Sequence, residues 1–231
     1  ADVNNDGFLD LFIGNESGKS QSHPCELYIN QKNGRFLEQS TNYNLSSIKG
    51  FIKGVVFGDI NNDNWPDLYL SVLGGANLLF KNDFGKFKDI SQTAGVQGPN
   101  FSFPTWFWDV NNDGFTDIFV ASYDTSNLKN IAGDFAKEIQ GDEVLSNKSK
   151  LFINNGDETF SDQSKKYNID ISLYGMGSNF GDLDNDGWLD FYIGTGSPEF
   201  TSVIPNRMFR NSDGKSFEEV TSAGGFGHIQ K

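Results

Sequence analysis

Residues 182–190 read DLDNDGWLD, and three other segments repeat this pattern with small changes: DVNNDGFLD at 2–10, DINNDNWPD at 59–67 and DVNNDGFTD at 109–117. We number these segments loop 1 to loop 4 in chain order. Each loop has an oxygen-bearing side chain at positions 1, 3, 5 and 9, and Gly or Asn at position 6. A calcium ion takes about six to eight oxygen ligands, which a short loop supplies through alternating side chains and a backbone carbonyl. The pattern therefore predicts up to four bound Ca²⁺ ions.

The nine-residue frame also predicts the ligands. Positions 1, 3, 5 and 9 supply side-chain oxygens, position 7 supplies its carbonyl, and position 6 makes a sharp turn with positive φ. The predicted ligands are Asp2, Asn4, Asp6, Phe8 and Asp10; Asp59, Asn61, Asp63, Trp65 and Asp67; Asp109, Asn111, Asp113, Phe115 and Asp117; and Asp182, Asp184, Asp186, Trp188 and Asp190. Because Asp184 adds a fourth carboxylate, we expect loop 4 to bind calcium most tightly. Because Asn64 replaces Gly and Pro66 follows the carbonyl position, we expect loop 2 to be empty or distorted.

The residues after each loop distinguish this pattern from related ones. A single D-x-N-x-D-G segment is often only a solvated turn, because Asp, Asn and Gly are common turn residues, but four matched copies favour a metal site. An EF-hand would need a Glu at position 12 and flanking helices. Position 12 here lies in short apolar runs that predict strands, and its residues are Ile13, Leu70, Val120 and Ile193. Each loop is therefore predicted to connect two strands of a β-hairpin.

A second hairpin follows each loop. An apolar strand ending in Asn precedes a Gly-containing turn and another strand, and it reads LYIN at 27–30, LFKN at 79–82, LFIN at 151–154 and MFRN at 208–211. Each repeat then has four strands, which we call A to D: A enters the loop, B leaves it, and C and D form the second hairpin. The first aspartates of the loops are 57, 50 and 73 residues apart, and such a period of four antiparallel strands is typical of a β-propeller blade.

The predicted fold class is therefore all-β, a β-propeller built of four-stranded antiparallel blades. We place the blade units at about 1–52, 53–103, 104–174 and 175–231, within a single domain spanning 1–231. The chain begins just after one strand A and ends, at 224–231, just before another. Four blades are at the low end of the range for propellers, so we expect a partial propeller with further blades in the parent protein.

Inserted segments predict where a partner binds. The third repeat carries the longest insert, 124–148, in which Ile131, Phe135 and Ile139 have helical spacing. In an up-and-down blade the inserts lie on the face opposite the calcium loops, and unequal loops on a regular scaffold commonly carry recognition. We therefore expect a protein or glycan ligand on that opposite face. His23 and His228 also fall on it, and we interpret them as surface histidines.

Composition excludes several functions. The net charge is −13, from 31 acidic and 18 basic residues, and the four loops contain 13 of those acids. Without a basic stripe, nucleic-acid binding is not expected, and no apolar span predicts membrane insertion. Cys25 is the single cysteine, so an internal disulfide is excluded. Trp106 and Trp108 alternate along strand A of the third repeat, which favours packing between blades over ligand stacking.

The loops and the Leu-Tyr/Phe-x-Asn…Gly-x-Phe hairpins resemble the FG-GAP/VCBS repeat family, β-propeller repeats that also occur in integrin α-subunit heads. Residues 176–209 and 224–231 look like the ASPIC/UnbV group of that family, which includes cartilage acidic protein. The resemblance implies a calcium-stabilised propeller in a multidomain extracellular or envelope protein, with the ligands at positions 1, 3, 5 and 9 of the loops.

Three functions remain open from the sequence. The leading hypothesis is a non-enzymatic adhesion or protein-interaction module with structural calcium, located outside the cell, on the cell surface or in the periplasm, where calcium is millimolar. The alternative is a carbohydrate-binding, lectin-like propeller that uses an exposed aromatic such as Tyr123. The third is a polysaccharide-acting enzyme domain, although only two histidines could serve as a general base near neutral pH.

Overall fold

Four antiparallel sheets follow one another along the chain in a computed structural model that describes residues 1–18, 20–197 and 202–222. Each sheet is a meander in which consecutive strands pair, as the two predicted hairpins per repeat require. The all-β, propeller-like fold class is therefore confirmed. The segment 224–231 and His228, for which the sequence also gave expectations, lie outside the described residues.

The first sheet has three strands, and each of the others has four. The first contains β1 (Leu11–Ile13), β2 (Glu26–Asn30) and β3 (Phe36–Glu38). The second contains β4 (Ile52–Gly58), β5 (Asp67–Val72), β6 (Leu78–Asp83) and β7 (Lys86–Asp89). The third contains β8 (Ser102–Trp108), β9 (Asp117–Ser122), β10 (Lys150–Asn154) and β11 (Phe160–Asp162). The fourth contains β12 (Gly175–Gly181), β13 (Asp190–Thr195), β14 (Arg207–Ser212) and β15 (Ser216–Glu219).

The two middle sheets are covered on both faces. All six residues of β5 and all six of β9 are buried, which is the pattern of strands with a neighbouring layer on each side. The first and fourth sheets have an uncovered face, where Leu11, Ile13 and Met176 are exposed. The sheets therefore pack face to face in chain order, and the hydrophobic core lies between them.

Aromatic rings fill the space between neighbouring sheets. Phe12 packs on Phe57 between the first and second sheets, and Tyr69 packs on Phe107 between the second and third, each at a ring distance of 6.3 Å. Between the third and fourth sheets, Trp106 stacks on Phe180 at 5.7 Å and Trp108 stacks on Phe217 at 5.7 Å. Both tryptophans are buried, so their predicted packing between blades is confirmed.

The longest insert carries a helix that is fixed to the fourth sheet. Helix α2 (Ile131–Gln140) lies inside the segment 124–148 and ends at Gly141, whose φ of 76° closes the helix. The buried guanidinium of Arg207, on β14, lies 2.5 Å from Glu138 of α2 and 2.6 Å from Glu219 of β15. This ion-pair network joins the insert to the sheet. The other described helix, α1 (Ser91–Ala94), is a single turn, and Ser40–Tyr43 and Thr125–Asn130 form 3-10 turns.

Candidate metal centres

The last aspartate of each loop is buried and joins the two hairpins of its repeat. In loop 3, Asp117 accepts hydrogen bonds from the backbone N–H of Val110, within the loop, and of Asn154, at the end of strand C, at 3.0 and 2.8 Å. The equivalent aspartates make the same pair of bonds, and they are Asp10, Asp67 and Asp190. Position 9 therefore fixes the loop against the second hairpin.

Backbone N–H groups also orient the side chains at positions 1 and 5. Asp109 accepts hydrogen bonds from the N–H of Asp113 and of Gly114 at 3.0 and 2.8 Å, and Asp113 accepts one from Phe115 at 2.9 Å. The same three contacts occur in the other loops. The carboxylates are thus held in one arrangement by the turn itself.

Loop 2 was expected to be empty or distorted; the distortion is wrong, and the emptiness stays a prediction. Asn64 has a φ of 65°, and its N–H reaches Asp59 at 2.7 Å, as the Gly at this position does in the other loops. Asn is among the few residues that tolerate the left-handed region, so it replaces Gly without changing the turn. Pro66 takes no part in the hydrogen bonds that shape the loop, and its backbone carbonyl accepts a hydrogen bond from the side chain of Asn82.

The charge at these sites fits a divalent cation. In loop 4, Asp182, Asp184 and Asp190 offer carboxylate oxygens within 4.8 Å of one another. Burial, together with the neighbouring carboxylates of each loop, raises the pKa of Asp67 and of Asp117 to about 7. In the described part of the chain, no lysine or arginine forms an ion pair with a position-9 carboxylate. The clustered carboxylates of loop 4 are thus a donor set of the kind that calcium binds, whereas in loop 1 the Lys32 ammonium lies 3.4 Å from Asp6.

The aromatic residue at position 7 lies over the turn of the second hairpin in the third and fourth repeats. Phe115 covers Gly156, and Trp188 covers Gly214 so closely that a side chain there would clash with the indole. In these two repeats the ring at position 7 therefore connects the two turns on the loop face of the sheet.

One set of functional residues was missed by the sequence analysis: the Asn at the end of each strand C. The Asn154 side chain donates to the carbonyl of Ile60 in loop 2 at 2.8 Å and to that of Thr116 in loop 3 at 3.0 Å. The side-chain carbonyl of Asn154 accepts a hydrogen bond from the backbone N–H of Gly156 at 2.9 Å. Two other repeats have the same link to the preceding loop, through Asn82 and Asn211. This Asn therefore connects adjacent candidate sites.

A second missed set is the Asn at position 4 of the loops. Asn62 donates from its side chain to the carbonyl of Gly114, at position 6 of the next loop, at 3.1 Å. Asn5 and Asn112 make the equivalent bonds to the following loops at 3.0 and 3.1 Å. The sequence carried a signal, because every loop has Asn at position 4. Its partner lies in another repeat, however, and spacing within one repeat cannot show it.

Two other residues singled out by the sequence lie apart from the loops. His23 is exposed in the first insert. Tyr123, the suggested stacking platform for a sugar, is only 6% exposed, and its ring packs between Phe103 and Tyr174. Tyr123 therefore cannot stack on a ligand in this structure, and that choice of residue is wrong.

Antiparallel sheets in series, each with an aspartate loop on the same face, define a propeller-type repeat protein. The family model described as FG-GAP-like repeat matches residues 2–70 and 109–193. The chain therefore belongs to the FG-GAP-like repeat family, whose domains are typically extracellular adhesion or interaction modules and often bind calcium. No curated protein matches the chain. None of the helices in the described ranges has the length and apolarity needed to cross a membrane.

The strand C asparagines can be tested by substitution. We expect Asn154→Ala to lower the free energy of unfolding by about 2–3 kcal/mol, because it leaves buried carbonyl and N–H groups without partners. The matched control is Asn155→Ala, whose exposed side chain bonds only within its own turn, and we expect a change within about 0.5 kcal/mol. Urea unfolding of both variants measures the difference. Equal effects would contradict the role assigned to Asn154.

The buried carboxylates predict an unusual pH dependence for the metal-free protein. The pKa of Asp67 and of Asp117 rises from 3.8 to about 7 on folding. Between these values the folded state holds more protons than the unfolded state, so the free energy of unfolding falls as the pH rises. We expect protein freed of metal by chelating resin to be more stable at pH 5 than at pH 7.5 in urea unfolding. Asp117→Asn should reduce this slope, and a rise in stability towards pH 7.5 would contradict the prediction.

Proposed function

We propose that this chain is a calcium-stabilised propeller segment of the ASPIC/UnbV group that acts as a non-enzymatic adhesion or protein-interaction module. The observation that carries the proposal is the repeated position-9 aspartate, which is buried, without a cationic partner, and bonded to both hairpins of its repeat. A cation bound there would hold strands A, B and C together.

The predicted ligands are the residues that would hold the ion. In loop 4 the carboxylates at positions 1, 3 and 9 already lie within 4.8 Å of one another, and we expect position 5 and the carbonyl of position 7 to complete the set. Bound calcium would neutralise carboxylates that otherwise repel one another, and this is the whole of its role in the proposal. Open loops with three or four carboxylates suit millimolar calcium, which supports a location outside the cell, on its surface or in the periplasm.

A concave surface on the face opposite the loops is the proposed partner site. It has a volume of about 550 Å³ and is lined by Ser17, Gly18, Phe51, Leu73, Gly74, Phe101 and Thr125. The ammonium of Lys53 lies 4.6 Å from the Phe51 ring and 5.1 Å from the Phe103 ring, and it pairs with Glu16. Half-buried aromatic rings with a nearby cation are typical of residues that anchor protein partners.

The buried carboxylates of the insert support a non-enzymatic role. Asp134 accepts hydrogen bonds from Asn127, Ser146 and Tyr174, and Asp124 accepts them from Ser126 and Asn147. Carboxylates engaged in this way fix the insert, and they are not poised to exchange protons with a substrate. The polysaccharide-acting alternative therefore has no support from these two groups.

Calcium removal tests the structural half of the proposal. We expect calcium to raise the melting temperature of the metal-free protein, because each site adds about 2.7 kcal/mol when free calcium is 100 times its Kd. Because loop 4 has the extra carboxylate, Asp184→Asn should weaken the tightest site seen in calorimetric titration. Asp142→Asn removes the same charge outside the loops and should leave all sites unchanged. An unchanged melting temperature after chelation would refute structural calcium.

The partner site can be tested with an array of purified extracellular protein domains. We expect Phe101→Ser to weaken the binding of a captured domain by about tenfold or more, because it removes a ring from the concave surface. Leu37→Ser changes an exposed side chain on the first sheet and should bind as the wild type does. Both variants must keep the calcium-dependent melting temperature. Binding that survives Phe101→Ser, or no binding by any domain, would argue against this surface.

A further inference from the structure

The turn between β6 and β7 carries an exposed phenylalanine in a strained conformation. Phe84 has a φ of 49° and is 77% exposed. A bulky residue with positive φ is a genuine outlier, and such strain concentrates at functional positions. The equivalent turn in the fourth sheet has Asp213 before Gly214, with a φ of 55°, which is the residue type that this turn favours. The second sheet thus keeps an unfavourable residue and does not bury it.

The neighbour of Phe84 is also arranged differently from its equivalents. The Trp65 ring meets the Phe84 ring edge to face, with centroids 5.4 Å apart. In the fourth sheet, the Trp188 ring lies against Gly214 and covers the turn. In the second sheet the two rings form an aromatic pair at the surface. This pair is on the calcium-loop face, away from the proposed protein site.

A groove beside this pair runs between the first and second sheets. Its volume is about 300 Å³, and it is lined by Asn4, Gln39, Asn42, Tyr43, Trp65, Phe84, Gly85 and Lys86. The lining thus combines three aromatic rings with the amides of Gln39 and Asn42, which bond to each other, while the Asn4 amide bonds to Asp6 within loop 1. The Lys86 ammonium is already engaged, because it donates to the carbonyl of Asn42.

We propose that this groove binds a neutral saccharide. A pyranose ring has an apolar C–H face that packs on an aromatic ring and a rim of hydroxyl groups that pair with amide donors and acceptors. The lining includes no carboxylate, and its one cation is occupied, which favours a neutral sugar over an acidic one. The volume is at the lower end of small-molecule sites and suits about one or two sugar rings. A proline-rich peptide also binds aromatic grooves, but it would leave most of these amides unused.

The test is binding to an array of neutral oligosaccharides of hexoses, deoxyhexoses and N-acetylhexosamines in saturating calcium, followed by titration with the best binder. We expect Phe84→Asn to weaken that binding by about tenfold or more, while Phe84→Tyr retains it. Because Asn tolerates positive φ, the melting temperature of Phe84→Asn should be unchanged or higher. Phe36→Thr removes another exposed ring, on the first sheet, and should bind as the wild type does.

Several results would overturn the proposal. One is that no oligosaccharide on the array binds the protein. Another is that Phe84→Asn binds the best oligosaccharide as tightly as the wild type does. A third is that a proline-rich peptide, and no sugar, binds in a way that depends on Phe84. A lower melting temperature for Phe84→Asn would also overturn it, because the ring would then stabilise the turn itself. Failure here leaves the calcium and protein-partner proposals intact, since the substituted residue, Phe84, is neither a predicted calcium ligand nor part of the concave surface.

Discussion

The buried aspartate at the end of each loop is the contact on which the rest of the sheet depends. A carboxylate taken out of water must find hydrogen-bond donors or a cation, and Asp117 finds two backbone N–H groups from two different hairpins. The same group therefore sets the shape of the loop, the register between loop and strand C, and the local negative charge. The shape of the loop and the charge of the candidate metal site are consequences of one desolvated carboxylate.

The regular parts of the molecule could be predicted from the sequence because their causes are local. Short apolar runs indicate the strands, the aspartate frame indicates the loops, and the repetition of both predicts sheets in series. The position-6 turn is equally local, yet Asn64 shows that a departure from Gly need not distort it. The error there came from treating a tolerated substitution as a disruptive one.

Contacts between repeats could not be predicted in the same way. The asparagines at position 4 and at the end of strand C were visible as recurring residues, but their acceptors lie 52 to 101 residues away. Tyr123 follows a strand and was expected to be exposed, yet Phe103 of β8, Tyr174 and Ile131 of the insert pack around it. Phe84 stood in an ordinary turn sequence, and only its φ and its exposure show that it is unusual.

The bonds between neighbouring loops end on main-chain carbonyls. Asn5, Asn62 and Asn112 donate to position 6 of the next loop, and the strand C asparagines donate to position 2 of the preceding one. Every residue type offers such a carbonyl, so a repeat needs no particular side chain from its neighbour at these points. Repeats can therefore be duplicated, lost or exchanged in evolution without a compensating substitution in the neighbouring repeat. Their aromatic faces and inserts can diverge at the same time.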